Sequence, residues 1–310
     1  MKDIGQRHTV VGLREALPYV RLFKGRTFVV KVGGSLIADP IAAREVLEQI
    51  DALMHLGIRV VLVHGGGAQA SALSRALGSE PRFVAGRRVT DATALQAAVL
   101  TLNGEANTAL LGVCRALGVS AVGLSGVDSA LVRARRRPPV VVEGQSVDYG
   151  NVGDVARVVP GVLDALLAGG TLPIVSPIAA DDDGNLLNCN ADGVAAAIAV
   201  AMGALKLVLL TDVPGLLERP EDPRSLVSYV DLGGLARMRE RGVLGGGMLP
   251  KVAAIETALA GGVPRAHLVS WRAPDGLLAE LFTNEGSGTL VVPELGTLTP
   301  AEQAAEAPVG

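Results

Sequence analysis

Short apolar runs, each closed by glycine and followed by a segment of helical spacing, recur along the chain. Residues 27–32 (TFVVKV) are apolar except for Thr27 and Lys31 and end in Gly33-Gly34, which predicts a buried strand and a glycine loop. Asp39-Pro40 then supplies an N-cap and a first-turn proline. Val46, Leu47, Ile50, Leu53 and Met54 repeat on one helical face, and Gly57 stops the helix. A second apolar run, 58–63, is closed by His64-Gly65-Gly66-Gly67 and leads into a helix ending near Gly78. Asp91 opens a long helix predicted to run to Gly118. Strands at 121–124, 172–175, 205–210, 266–269 and 289–292 alternate with helices at 160–167, 191–202, 232–241 and 251–260. Residues 129–160 read as hairpins punctuated by proline and glycine. This alternation predicts an α/β fold: a three-layer sandwich with a mostly parallel central sheet and helices on both faces. No Ser/Gly linker interrupts the chain, so both halves are expected on one continuous sheet.

Composition narrows the function. The net charge of −3 over 310 residues gives no nucleic-acid surface. Arg133, Arg135, Arg136 and Arg137, followed by Pro138-Pro139, read as a solvated hairpin edge. Cys114 and Cys189 lie in unrelated segments, with neither a disulfide framework nor zinc spacing, which suits a reducing, cytoplasmic setting. The start, with Asp3, Arg7, Arg14 and Glu15, has no apolar signal-peptide core. The longest apolar run, 193–210, contains Gly203 and Lys206 and divides into a helix and a strand rather than a membrane span.

Two glycine loops after neighbouring strands can bring backbone N–H groups up to an anion, each at a helix N-terminus. Either alone reads equally well as a tight strand–helix turn, and Gly65 to Ala70 even fits the loose dinucleotide pattern G-x-G-x-x-A. Lys31 sits in an apolar strand, where an unpartnered ammonium is costly, so it is expected to turn toward a ligand at the strand's C-terminal end. Lys251 is expected to open a helix, where its charge opposes the dipole unless a phosphate lies between. In Asn188-Cys189-Asn190-Ala191-Asp192, a plain N-cap reading explains Asn190 and Asp192 but not Asn188. Thr211, Asp212 and Gly215 follow another buried strand. The P-loop, protein-kinase, H-E-x-x-H and G-x-S-x-G signatures are absent. His64 lacks a neighbouring His or Cys and is expected to be structural.

Taken together, EALPY at 15–19, VKVGGS at 30–35, VHGGG at 63–67, RVTD at 88–91, NGEAN at 103–107, GLSG at 123–126, NCNAD at 188–192, LTDVPGL at 210–216, GGMLPK at 246–251 and LFTNEGSGT at 281–289 resemble the acetylglutamate kinases of the amino-acid kinase superfamily, from about Val10 to Val292. That resemblance implies transfer of the ATP γ-phosphoryl group, with Mg²⁺ bound mainly through ATP, to the side-chain carboxylate of N-acetyl-L-glutamate, a step of arginine biosynthesis. It casts Lys31 and Lys251 as the cations at the transferring group and Asp192 as their anchor. Gly66, Gly67, Arg88 and Asn188 fall at substrate positions. Gly33, Gly34, Thr211, Asp212 and Gly215 fall at nucleotide positions. No dedicated metal ligand is implied. Phosphoryl transfer asks for positioning and charge stabilisation, and a carboxylate acceptor is already ionised at neutral pH, so no general base is needed. Arg87 and Val127-Asp128-Ser129 depart from the family's usual residues. The competing readings are a kinase for a related acid of aminoadipate type, a catalytically silent arginine-sensing kinase-like domain, and a dehydrogenase.

The resemblance also divides the chain into an N-terminal oligomerisation helix (1–26), a kinase domain (27–293, with substrate lobe 27–190 and ATP lobe 191–293) and a flexible tail (294–310). Val10, Leu13, Leu17 and Val20 form one helical stripe interrupted by Pro18, where a kink is expected. In the family such a helix links dimers into a hexamer, a trimer of dimers, inhibited by L-arginine. Tyr19, Glu285 and Gly286 are the implied arginine residues. Asp275 stands where the sensitive enzymes usually carry histidine.

Overall fold

Thr27–Val32 is buried at all six positions and forms a central strand of an eight-stranded sheet. The computed structural model describes residues 16–84, 87–142, 144–283 and 286–298. Across the sheet the strands run Tyr229–Asp231, Thr289–Val292, Arg265–Ser270, Lys206–Thr211, Thr27–Val32, Arg59–His64, Leu172–Ser176 and Ala121–Ser125. Every neighbouring pair is parallel except Thr289–Val292 against Arg265–Ser270. Thr27–Val32 pairs with a strand from each half of the chain, so the sheet is continuous, as the absence of a linker predicts.

Alternate residues of the central strands feed two cores. Val29, Val61, Val63, Leu207 and Leu209 pack under the helices Ala191–Ala201 and Met248–Ala260. Phe28, Val30, Val32, Leu62 and Val208 pack under Pro40–His55, Asn107–Leu117 and Gly276–Phe282. Burial on both faces is why these strands read as unbroken apolar runs. Helix starts follow the caps: Asp39 accepts from the N–H groups of Ile41 and Ala42, Asp91 from Ala94, and Asn190 from Gly193.

The structure departs from expectation in several places. The long helix after Asp91 is α-helical over Ala92–Val99, π-helical over Leu100–Ala106 and α-helical again over Asn107–Leu117, ending at Gly118 in the left-handed region (φ +77°). The wider π turn changes the direction of the NGEAN side chains relative to a regular helix. The helix expected to open at Lys251 begins one turn earlier, at Met248. Pro250 is tolerated there because a first-turn N–H needs no partner. In the region read as hairpins, Val132–Arg136 and Val152–Val158 join Ile178–Ala180 and Leu186–Cys189 in a small closed barrel. The chain expected to fray from 294 first makes a short 3₁₀ turn, Leu295–Thr297. Leu298 is buried with Leu290 and Val292, and Arg265 Nη2 donates to Thr297 O at 2.7 Å.

Residues 16–23 are helical, with Phe23 buried against Phe28 and Phe282 and with Leu17 and Leu22 exposed. Val10, Leu13 and the rest of the chain before Ala16 lie outside the described residues. Among the described residues no helix is long and apolar enough to cross a membrane.

Candidate active site

Parallel strands end together, so the loops that follow them meet at one edge of the sheet. Lys31 is the penultimate residue of its strand, in register with Val63 and Leu209, and is buried. Asp192 is the second residue of the helix Ala191–Ala201, and Lys251 lies in the first turn of Met248–Ala260. Their side chains converge: Lys31 Nζ is 2.7 Å from Asp192 Oδ1, and Lys251 Nζ is 3.4 Å from Asp192 Oδ2. Lys251 keeps 18% of its side chain exposed, against 8% for Lys31, so the trio opens to solvent on the Lys251 side.

Burial works to raise the Asp192 carboxyl, but the attraction of Lys31 and then Lys251, with a hydrogen bond from each, outweighs it. The group is held below the ordinary carboxylate range. Burial lowers the Lys31 ammonium from its ordinary value and the repulsion of Lys251 adds to this, against the pull of Asp192. With both lysines protonated, the trio carries one net positive charge beside two helix N-termini. That combination suits a phosphoryl group.

The two glycine loops touch. Gly33 caps the short helix Gly34–Ile37, and a β-carbon on Gly34 would lie 2.9 Å from Gly66 Cα. Gly67 opens the helix Gly67–Ala76. Arg88, on the strand Arg87–Val89, donates from Nη2 to Gly67 O at 2.7 Å and to Ser71 Oγ, and its guanidinium stacks over the Phe83 ring at 5.0 Å. This leaves Nε and Nη1 available for a carboxylate. Asn188 Nδ2 donates to Thr90 Oγ1 at 3.5 Å, two residues from Arg88.

On the other side, Thr211 ends Lys206–Thr211. Its Oγ1 donates to Asp212 Oδ1 at 3.3 Å, and its carbonyl accepts from Trp271 N at 2.9 Å. Gly215 also has a packing reason: a β-carbon there would lie 2.6 Å from Thr289 Oγ1, the group that accepts from Leu216 N. Thus Lys31, Asp192 and Lys251 form one cluster. Gly34 and Gly66 meet in the glycine loops, which approach it where a β-carbon on Gly65 would lie 3.7 Å from Ala191 Cβ. Arg88 joins the loops through Gly67, and Thr211 ends the neighbouring strand, with Asp212 and Gly215 after it. Glu285 lies outside the described residues.

His64 is fully buried. Nε2 accepts from Asn107 Nδ2 at 3.3 Å, so Nδ1–H donates to Gly65 O at 3.2 Å. Burial lowers its pKa to about 4, and it serves to hold the second glycine loop.

Tyr19 and Gly286 line a second cavity of about 210 Å³ with Phe23, Lys206, His267 and Glu280. Lys206 Nζ lies 3.0 Å from His267 Nε2, and His267 Nδ1 lies 2.7 Å from Glu280 Oε1. Glu280 Oε2 accepts from the N–H groups of Ser287 and Gly288. Burial pushes the Glu280 carboxyl up, but the His267 hydrogen bond and charge and these N–H groups bring it below its ordinary range. Asp275 is exposed at the start of Gly276–Phe282 and does not line the cavity. Sequence reasoning missed this trio, although Lys206 carries the same signal as Lys31, a lysine within an apolar strand. It also missed Gln69 and Ser71, which nothing in local spacing marks.

The family model described as the amino acid kinase family matches residues 26–270. The chain is 50% identical over 288 residues to the acetylglutamate kinase of Myxococcus xanthus, covering 91% of this chain and 94% of that one. It is 42% identical over 279 residues to the chloroplastic acetylglutamate kinase of Arabidopsis thaliana, covering 90% and 79%. Among solved structures, the N-acetylglutamate synthase of Neisseria gonorrhoeae complexed with coenzyme A and N-acetyl-glutamate superposes with a TM-score of 0.80 at 29% identity. The match covers 92% of this chain and 63% of that one, so the chain spans under two thirds of the synthase. The carbamate kinase of Giardia, at 17% identity and a TM-score of 0.61, shares the fold.

Proposed function

The chain belongs to the amino acid kinase family, among its acetylglutamate kinases, and on that premise we propose that the Lys31–Asp192–Lys251 trio is the phosphoryl-transfer centre. The reaction is ATP-dependent phosphorylation of N-acetyl-L-glutamate on its side-chain carboxylate, in arginine biosynthesis. The observation that carries the site assignment is a buried carboxylate, Asp192, held between two lysines from opposite halves of the chain.

In this reading the Gly33-Gly34 backbone cradles the ATP phosphates, and Thr211, Asp212 and Gly215 border the nucleotide. Gly66, Gly67, Arg88 and Asn188 hold N-acetyl-L-glutamate, with Arg88 on a carboxylate. The acceptor carboxylate, ionised already, attacks the γ-phosphorus as the bond to the β,γ-bridging oxygen breaks. Lys31 and Lys251 meet the charge that spreads over the equatorial oxygens, and Asp192 keeps both ammonium groups in place. The residues fit a metal nucleotide held by its phosphates: Asp192 is already engaged by both lysines, so the protein grips oxygens rather than the ion. Mg²⁺, when bound with ATP, neutralises phosphate charge.

The second cavity, lined by Tyr19, Gly286 and Glu280, is the proposed seat of L-arginine as feedback inhibitor; Glu285, which the resemblance also implies, lies outside the described residues. The exposed Leu17 and Leu22 of helix 16–23 would pair with another subunit in a homo-oligomer, a hexamer built as a trimer of dimers. A substrate panel tests the whole reading: N-acetylglutamate, glutamate and aminoadipate compared for ATP turnover, with and without arginine, alongside sedimentation. Preference for N-acetylglutamate supports it, and preference for aminoadipate overturns it. A full-length dimer, or a hexamer indifferent to arginine, removes the assembly or the regulatory part respectively.

A further inference from the structure

Gln69 joins the two glycine loops. It is the third residue of the helix Gly67–Ala76, the position from which a glutamine ordinarily reaches back to the N-cap backbone N–H. Here Nε2 crosses to the other loop instead and donates to Gly34 O at 2.6 Å. Its Oε1 is buried and has no hydrogen-bond partner among the described residues. A β-carbon on Gly34 would lie 2.5 Å from that oxygen and 2.9 Å from Gly66 Cα, so Gly34, Gly66 and Gln69 pack as one unit.

A buried acceptor without a partner costs stability, and a side chain kept in that state calls for a reason other than stability. Resting on the assignment of Gly33-Gly34 to ATP and of Gly66-Gly67 to the acid, we propose that Gln69 is a positioning residue that sets the separation of the donor and acceptor loops. It acts through the backbone of Gly34 and Gly66. In-line transfer depends steeply on the approach of the reacting atoms, and a misplacement of about 1 Å lowers a rate on the order of a hundredfold. A strut across the two loops therefore governs kcat more than the binding of either ligand, since each loop retains its own contacts.

Gln69→Leu separates this role from a structural one. It is similar in size, loses the donor to Gly34 O, and also removes the orphan oxygen. Its melting temperature should equal or exceed that of the wild type. Its dissociation constants for N-acetylglutamate and for a non-hydrolysable ATP analogue, measured separately by calorimetry, should stay within about twofold, while kcat falls roughly ten- to a hundredfold. Gln69→Glu, whose carboxylate cannot donate to Gly34 O, should lose at least as much kcat and covers the case in which the leucine variant folds poorly. Unchanged kcat in either folded variant overturns the proposal. So does a raised dissociation constant for one ligand with kcat intact, which would make Gln69 a plain contact to that ligand. A wild type inert toward N-acetylglutamate sinks the site reading, and Gln69 with it. An active wild type with an unaffected variant overturns the Gln69 role alone.

Discussion

The Lys31 ammonium lies 2.7 Å from the Asp192 carboxylate across 161 residues of sequence, and both are buried at the sheet's C-terminal edge. Breaking a buried pair from one side leaves an uncompensated charge. Asp192→Asn, which keeps the shape, should therefore lower both kcat and stability, the latter by about 3 kcal/mol in denaturant unfolding. An unchanged unfolding midpoint would show that Asp192 does not anchor the lysines.

The role proposed for Arg88 is separate from that of the lysines. Arg88→Ala should weaken N-acetylglutamate about ten- to a hundredfold, the range for a hydrogen bond to a charged group, and leave an ATP analogue nearly unaffected. Calorimetry showing equal losses for both ligands contradicts the assignment.

Much of this arrangement is legible in the sequence, and what is not has a physical cause. Runs such as 27–32 and 58–63 announce buried strands because both faces of a parallel sheet are covered. Caps such as Asp39 and Asn190 mark helix starts because an orphan N–H needs an acceptor. Lys31 betrays itself as a charge in an apolar run. Its meeting with Asp192 and Lys251 does not, since contacts between distant segments leave no local pattern; the motif resemblance supplies it. The π turn at Leu100–Ala106 is not legible: Asn103-Gly104 marks a weak point in the helix, but nothing local says which hydrogen bonds replace the regular ones. Lys206, His267 and Glu280 escape notice because each looks like an isolated polar residue until the fold brings them together.

His64 predicts a pH dependence. Its folded pKa of about 4 lies below the unfolded value of about 6.5, so the unfolded state binds the extra proton between these values. Its stabilising share is therefore complete above pH 6.5 and is lost as pH falls toward 4. Over that window the wild type should lose about 3 kcal/mol more stability than His64→Gln, which has no ring to protonate. Parallel stability curves for the two proteins would contradict the buried neutral imidazole.

Ser129 and Ala130 follow Asp128, whose carboxylate accepts from Ser125 N and Oγ, and both sit at φ +52°. Left-handed backbone costs a side-chain-bearing residue about 1–2 kcal/mol, partly offset on change to glycine by unfolded-state entropy. Ser129→Gly and Ala130→Gly should each stabilise the protein by about 0.5–1 kcal/mol. A lowered melting temperature in both counts against strain at this turn.

The central claim is that Lys31 and Lys251 stabilise the transferring phosphoryl group, and acyl phosphate formation measures it most directly. Trapping the product with hydroxylamine under saturating ATP and N-acetylglutamate gives kcat for the wild type, Lys31→Ala and Lys251→Ala. Loss of one preorganised charge at the transition state should lower kcat on the order of 10²–10³-fold, with much smaller changes in KM. Near-normal kcat in both variants, with any defect confined to KM, would place the phosphoryl-transfer centre elsewhere.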